Sequence, residues 1–242
     1  MTKIKSLTIA IPLYNEEKSI LNLHERLTNL LKTINLEIVK VLLVDDGSID
    51  DTNKLLNKFF DKKETFKIIK HPKNLNLNGF LETAIQLCET EYIVFLDADC
   101  TFDPMLISDM VDLFSIDIEI INGSPYHPMG KINGVNKWRL LISKTANYIY
   151  KRLLKQDIYT FTSIFKMYKT SLIKTITLES KGFASVAELF AKSIIRGGKV
   201  LEFPCELSIR QFGYSKIKII DSSIQHLKLM LKIVVLKLNT GN

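Results

Sequence analysis

Short apolar runs alternate with amphipathic stretches through the first half of the chain. "LTIAIPL" (7–13), "VKVLLV" (39–44), "FKIIK" (66–70) and "YIVFL" (92–96) have the length and composition of buried strands. Between the first two, Ile20, Leu23, Leu27, Leu30 and Ile34 recur at helical spacing and predict one apolar helix face. Asn15 is expected to cap that helix, with Glu16 and Glu17 in a first turn whose positive end favours carboxylates. Residues 52–60 and 80–88 predict the second and third helices.

Strands separated by helices imply βαβ units and a mostly parallel sheet covered on both faces, an α/β fold. Ligands of such sheets bind beyond the carboxyl ends of the strands. Three polar clusters fall at those ends: "YNEE" after the first strand, "DDGS" after the second and "DADCTFD" after the fourth. Acidic groups at three strand ends on one sheet edge make a site.

The second half is less regular. "IEIING" (118–123) reads as a further strand and "SPYHPMGKING" (124–134) as a turn-rich loop. Trp138 to Leu154 predicts a helix with Leu141, Ala146, Ile149 and Leu153 inward and Lys144, Lys151 and Arg152 outward. Residues 184–196 predict another helix, and "KVLEFPCELSIR" (199–210) strands broken at Pro204. From Ser222 to Leu238 a stripe of Ile224, Leu227, Leu231, Val234 and Leu238 runs beside Lys228, Lys232 and Lys237. The expected organisation is one domain over 1–220, with halves near 6–120 and 121–220. An amphipathic helical tail follows over 221–242.

At 46% hydrophobic and 24% charged residues the 242-residue chain has the composition of a folded globular protein. Its charge of +7 fits phosphate-bearing ligands or an anionic membrane surface. Nucleic acid is not an expected partner, because the basic residues are scattered and the strand-end site is acidic. The three cysteines, Cys88, Cys100 and Cys205, form no metal-binding pair and point to a reducing, cytoplasmic environment. No run reaches the ~18 apolar residues of a membrane-spanning helix. Neither G-x-G-x-x-G nor a P-loop follows a strand, which argues against a dinucleotide oxidoreductase or a P-loop nucleotidase.

Asp97 and Asp99 repel each other unless a cation compensates them. A D-x-D at a strand end suits Mg²⁺ or Mn²⁺, a hard cation held by one or two carboxylates plus substrate phosphates. Either Asp45 or Asp46 can accept hydrogen bonds from a nucleobase N–H, while Ser48 and Asp50 are expected to cap the next helix. "PLYNE" offers an aromatic ring and a carboxylate to a base and ribose. His127 lies in a Pro-rich loop with no second ligand at metal spacing.

"IAIPLYNEE", "VLLVDDGSIDDT" and "YIVFLDAD", in that order, resemble the family-2 glycosyltransferases, which have a GT-A-type fold. "LLISKTANYIY", "FKMYKTSLI" and "RQFGYSK" are similar to segments of the dolichol- and polyprenyl-phosphate mannosyltransferase branch. The resemblance implies inverting transfer from a GDP- or UDP-sugar, with a divalent metal, to a polyprenyl phosphate. It places Pro12, Tyr14, Glu16, Val44, Asp45 and Asp46 around the nucleoside, and Asp97, Ala98 and Asp99 on ribose, diphosphate and metal. Arg210 and Lys216 would neutralise phosphates, and Arg139 and Ser143 would face the acceptor. The chain departs from the branch at Pro125, where arginine is usual, at Thr160 for aspartate, and at Thr101 for glutamine. It also lacks the usual glycines in "NLNLNGF".

A phosphate acceptor needs no general base. A hydroxyl acceptor on a cell-surface glycan would, and Glu188 is the candidate. A catalytically silent subunit binding a membrane-protein partner is the remaining alternative. The basic amphipathic tail is compatible with a peripheral position on the inner face of the cytoplasmic membrane.

Overall fold

The computed structural model describes residues 4–60, 64–114, 117–210 and 219–240. The chain opens with β1 (Ser6–Leu13), α1 (Ile20–Thr33), β2 (Ile38–Asp45), α2 (Thr52–Phe60) and β3 (Phe66–Lys70). There follow α3 (Asn76–Leu87), β4 (Tyr92–Phe95), α4 (Leu106–Leu113), β5 (Ile120–Ser124) and β6 (Lys131–Ile132). The remainder is α5 (Lys137–Leu154), β7 (Lys166–Lys169), α6 (Thr170–Ile173), α7 (Phe183–Ile195), β8 (Val200–Pro204), β9 (Glu206–Leu207) and α8 (Ile219–Thr240).

The main sheet has seven strands in the order β3-β2-β1-β4-β7-β5-β8. All run parallel except β7, which pairs antiparallel with both β4 and β5. β2 and β4 flank β1, so the strand order reverses there and a crevice opens beyond the carboxyl ends. This is the GT-A-type architecture that the motifs implied. β7 was not foreseen as a strand, because "FKMYK" has neither the length nor the alternation that marks one. β6 and β9 form a separate two-stranded parallel ribbon.

Both faces of the sheet are buried, as a parallel sheet requires. One core packs α1, α2 and α4 against Leu7, Ile9, Ile11, Val41 and Leu43. The other packs α3, α5, α7 and α8 against Ala10, Leu42, Val44 and Phe95. Adjacent residues of β1 and β2 therefore serve opposite cores, the alternation of a pleated strand.

Two local expectations fail for one reason. Asn15 adopts φ 51 and does not cap α1, whose N-cap is Ser19, and no acid lies in the first turn. Instead Asn15 accepts from Ile49 N, and its own N–H donates to Ser48 Oγ. The loops after β1 and β2 are neighbours across the sheet edge, so their side chains satisfy each other's backbone rather than their own helices. Asp50 does accept from Thr52 N at the start of α2, and also from Glu17 N.

The helix stripes need a larger correction. In α5 the buried residues are Asn147, Tyr150 and Leu154, with Ala146 and Leu153 packed beside them, while Leu141 and Ile149 face solvent. In α8 the face toward α5 and α7 is His226, Leu229, Met230 and Ile233. The stripe of Ile224, Leu227, Leu231 and Val234 points outward, with Leu227 60% and Leu231 62% exposed. The Leu238 side chain lies outside the described residues. Apolar side chains nearly surround α8, and periodicity alone could not say which face the domain covers.

Candidate active site

A cleft of about 1040 Å³ lies over the carboxyl ends of β1, β2 and β4. It is walled by Pro12, Tyr14 and Glu16 after β1, Asp46 after β2, and Asp97, Ala98 and Asp99 after β4. Asn74 of the β3–α3 connection and Asn76, Leu77 and Phe80 of α3 add to this wall. The lining also includes Arg139 of α5, Lys181 to Phe183 at the start of α7, and Asp221, Ser222 and Gln225 of α8.

Backbone geometry aims the acids. Cys100 takes φ 54, and its N–H reaches Asp97 O, so the chain turns sharply after β4. Asp99 Oδ1 accepts from Thr101 N, and Thr101 O accepts from Ser208 N. That last bond ties the acidic turn to the segment carrying Arg210. After β2, Gly47 stands at φ 73, where a Cβ would come within 2.6 Å of the Lys73 backbone. Only glycine permits that approach.

The Arg210 guanidinium bridges two of the acidic strand ends. Its Nη2 lies 2.6 and 2.5 Å from the Glu16 carboxylate oxygens, and Nη1 lies 3.4 Å from Asp99 Oδ2. Desolvation raises the Asp97 carboxyl well above the usual carboxylate range, and the charge of Asp99 adds to this. Arg210 opposes the shift, while Glu16 reinforces it. Arg210 offsets the raised Asp97 carboxyl only in part, a setting that suits a bound cation. Among the described residues no three His, Cys, Asp or Glu side chains form an all-protein metal cage. Two carboxylates open to a phosphate-bearing ligand fit Mg²⁺ or Mn²⁺ in the mode that keeps substrate oxygens in the shell.

The structure gathers Pro12, Tyr14, Glu16, Asp46, Asp97, Ala98, Asp99, Arg139 and Arg210 around this one cleft. Val44 and Asp45 do not line it. Val44 faces the core, and Asp45 is fully buried with Oδ1 accepting from Ser48 N, so it shapes the turn. Ser143 bonds Thr162 Oγ1 at 3.2 Å behind the cleft wall. Lys216 lies outside the described residues.

Glu188, the candidate base, does not stand in the cleft. It is 1% exposed, with Oε2 accepting from the Glu179 and Ser180 N–H groups and Oε1 lying 2.6 Å from Lys192 Nζ. A carboxylate engaged in this way holds the turn before α7 and does not reach the cleft.

The departures at Pro125 and Thr160 meet in space. Thr160 is buried, with Oγ1 2.8 Å from Ser124 Oγ and 3.4 Å from Tyr126 N. Its backbone N–H and that of Tyr159 donate to Glu202. A neutral hydroxyl pair fills the spot beside Pro125. His127 stacks edge-on against Tyr159 and carries no ligand cluster.

Sequence reasoning missed Asn74 to Phe80, the start of α7 and the first turns of α8. The carboxyl end of β3 shares the sheet edge with β1, β2 and β4, and that was the available signal for the first group. For the other two no local pattern marks a cleft residue.

Comparison with known proteins agrees with this picture. The profile of glycosyl transferase family 2 matches residues 8–177. A dolichol-phosphate mannosyltransferase of Pyrococcus furiosus is 29% identical over 213 residues, covering 87% of this chain and 59% of that protein. This chain therefore spans less than two thirds of that relative. A polyprenol monophosphomannose synthase of Mycolicibacterium smegmatis is 26% identical, covering 86% of this chain and 80% of the relative. Glucosyl-3-phosphoglycerate synthase of Mycobacterium tuberculosis, solved with Mn²⁺, UDP and glucosyl-3-phosphoglycerate, superposes with a TM-score of 0.73 at 15% identity. That match covers 95% of this chain and 80% of the neighbour. The same enzyme with Mg²⁺ and UDP superposes at 0.70.

Proposed function

We propose, from the premise that this chain belongs to glycosyl transferase family 2, that it moves a hexosyl group from a nucleoside diphosphate sugar to a polyprenyl phosphate at a membrane surface. One observation carries the choice of acceptor. The cleft is lined by the acidic strand ends together with residues of α5 and α8, and each of those helices also keeps apolar residues outside the fold. Trp138, 74% exposed, stands beside the cleft residue Arg139, and Ile220 stands beside Asp221. Leu141, Ile142 and Ile149 of α5 and Leu227, Leu231 and Val235 of α8 extend the apolar surface, with basic Lys144, Lys151, Arg152, Lys228 and Lys232 among them. An apolar surface interspersed with lysine and arginine suits an anionic bilayer. No helix among the described residues is long and apolar enough to cross a membrane, so the contact proposed is peripheral.

In this reading Pro12, Tyr14 and Asp46 hold the nucleoside, and Arg210 binds the diphosphate that becomes more negative as the sugar leaves. Asp97 and Asp99 hold Mg²⁺ or Mn²⁺, which when bound acts as a Lewis acid on the departing diphosphate. Arg139 and Lys181 receive the acceptor phosphate. An acceptor oxygen attacks the anomeric carbon from the face away from the diphosphate, forming the new C–O bond as the old one breaks, and configuration inverts. A phosphate is already anionic at neutral pH and needs no base, in keeping with the engaged Glu188.

The test is a screen of GDP- and UDP-hexoses with polyprenyl phosphate in anionic vesicles, read by mass spectrometry of the lipid. A polyprenyl-phosphate hexose is expected. Transfer to glycan hydroxyls alone would remove the lipid reading.

A further inference from the structure

Immediately beyond β3, His71 plays no part in the reading above, yet it is 6% exposed and fully engaged. Its N–H donates to Asp45 O, continuing the β2–β3 pairing by one residue. That places the ring beside Asp46, with Nδ1 2.7 Å from Asp46 Oδ1 and Nε2 2.9 Å from Thr83 Oγ1 on α3. A carboxylate only accepts, so the hydrogen in the first contact sits on Nδ1. Leu75 N donates to the same Oδ1 at 2.8 Å. One oxygen of Asp46 is therefore held by two donors, while Oδ2 makes no hydrogen bond to the described residues of a side chain that lines the cleft.

We infer that His71 is a positioning residue that orients Asp46 to select donors carrying an imide-type base, uracil or guanine, a conclusion that rests on the nucleotide-sugar reading. The free oxygen can only accept. Uracil N3–H and guanine N1–H donate to it, whereas the corresponding ring nitrogens of cytosine and adenine turn a lone pair toward it. With the first oxygen held by His71 and Leu75 N, the second is kept at a fixed place in the cleft, where a base N–H can meet it. Thr83 holds the ring from behind, and His71 itself need not touch the nucleotide.

The experiment is calorimetry of UDP, GDP, CDP, ADP and base-free pyrophosphate with Mn²⁺ present. The full chain is compared with Asp46→Asn, His71→Leu, His71→Asn and the Asp46→Asn/His71→Leu double variant. The wild type should prefer UDP or GDP over CDP and ADP by about ten-fold or more, the size of a hydrogen bond to a charged group. In Asp46→Asn the amide oxygen stays pinned by the same two donors, so the NH₂ faces the cleft and the preference should invert toward CDP or ADP. His71→Leu should reduce the wild-type preference to about three-fold or less, and the double variant should lose the inversion. His71→Asn, which can still donate to Oδ1, should retain most of the preference. Pyrophosphate affinity should stay within about two-fold in His71→Leu and His71→Asn, since His71 acts only through the base.

Retained UDP or GDP preference in Asp46→Asn, or retained inversion in the double variant, would overturn the inference. Asp46→Asn is isosteric and tests the acceptor; if His71→Leu fails to fold, His71→Asn tests the positioning, and a preference lost in folded His71→Asn would overturn the role of His71. A wild type that binds none of the four nucleotides would instead remove the nucleotide-sugar reading, and this inference with it.

Discussion

The docking of α8 on the domain passes through one buried polar contact with a calculable pH dependence. His226 Nδ1 lies 2.8 Å from the Tyr150 hydroxyl of α5, and the two rings meet edge to face. Burial holds the His226 ring down at about 4, compared with 6.5 for an ordinary histidine. Burial likewise pushes the Tyr150 hydroxyl well above the ordinary phenol range, with the charge of Glu188 adding to it. Tyr150 therefore stays protonated across the range of interest. Above pH 6.5 the histidine is neutral in both folded and unfolded chains and contributes no pH dependence. Between 6.5 and about 4 only the unfolded chain takes up the proton, so stability falls as the pH falls, and below about 4 the loss levels off. At about 1.4 kcal/mol per pH unit the loss over that window is about 3 kcal/mol. His226→Phe preserves the ring and removes the titration, and its lost hydrogen bond costs about 1 kcal/mol at every pH. Urea unfolding of both chains from pH 7.5 to 4.5 should give stability curves that converge or cross by about 2–3 kcal/mol toward acid. Parallel curves would show that the ring is solvated or already charged in the fold, and would refute the reasoning.

The remaining predictions concern the cleft and its supports. Asp99→Asn should abolish the strengthening of UDP or GDP binding by Mn²⁺ in calorimetry, and unchanged metal dependence would take Asp99 out of the metal shell. Gly47→Ala forces a Cβ against the Lys73 backbone at φ 73, so it should lose about 1–3 kcal/mol by urea melts and weaken nucleotide binding. Asn147→Ala removes the acceptor shared by the Phe161 and Thr162 N–H groups in a buried setting, and about 1–3 kcal/mol should be lost in the same assay. Replacing Trp138, Leu227 and Leu231 together by Ser should abolish co-sedimentation with anionic vesicles while leaving nucleotide affinity unchanged.

The donor end of the cleft was legible in the chain because its parts are local. A strand run in a parallel sheet must be apolar on both faces, so "LTIAIPL", "VKVLLV" and "YIVFL" announce themselves, and the residues that follow each must lie on the same edge. Pro12, Tyr14, Glu16, Asp46, Asp97 and Asp99 are brought together by that rule alone. Val44 and Asp45 still belong to β2, so Val44 is turned into the core and Asp45 is held by the Ser48 N–H of the turn that follows.

Everything that depends on a distant partner was decided by the tertiary structure. Ser48 reads as a helix cap until the loop after β1 arrives beside it and Asn15 takes its hydroxyl. Glu188 reads as a base until Lys192 and the turn before α7 close around it. His71 reads as nothing in particular until β3 lies along β2 and brings it to Asp46. In α8, apolar side chains occupy nearly every direction around the axis. The sequence determined that this helix would be apolar and basic together, while packing on α5 and α7 chose His226, Leu229, Met230 and Ile233 for the inside. Leu227 and Leu231 were left at the surface because a helix can bury only one side against a single domain.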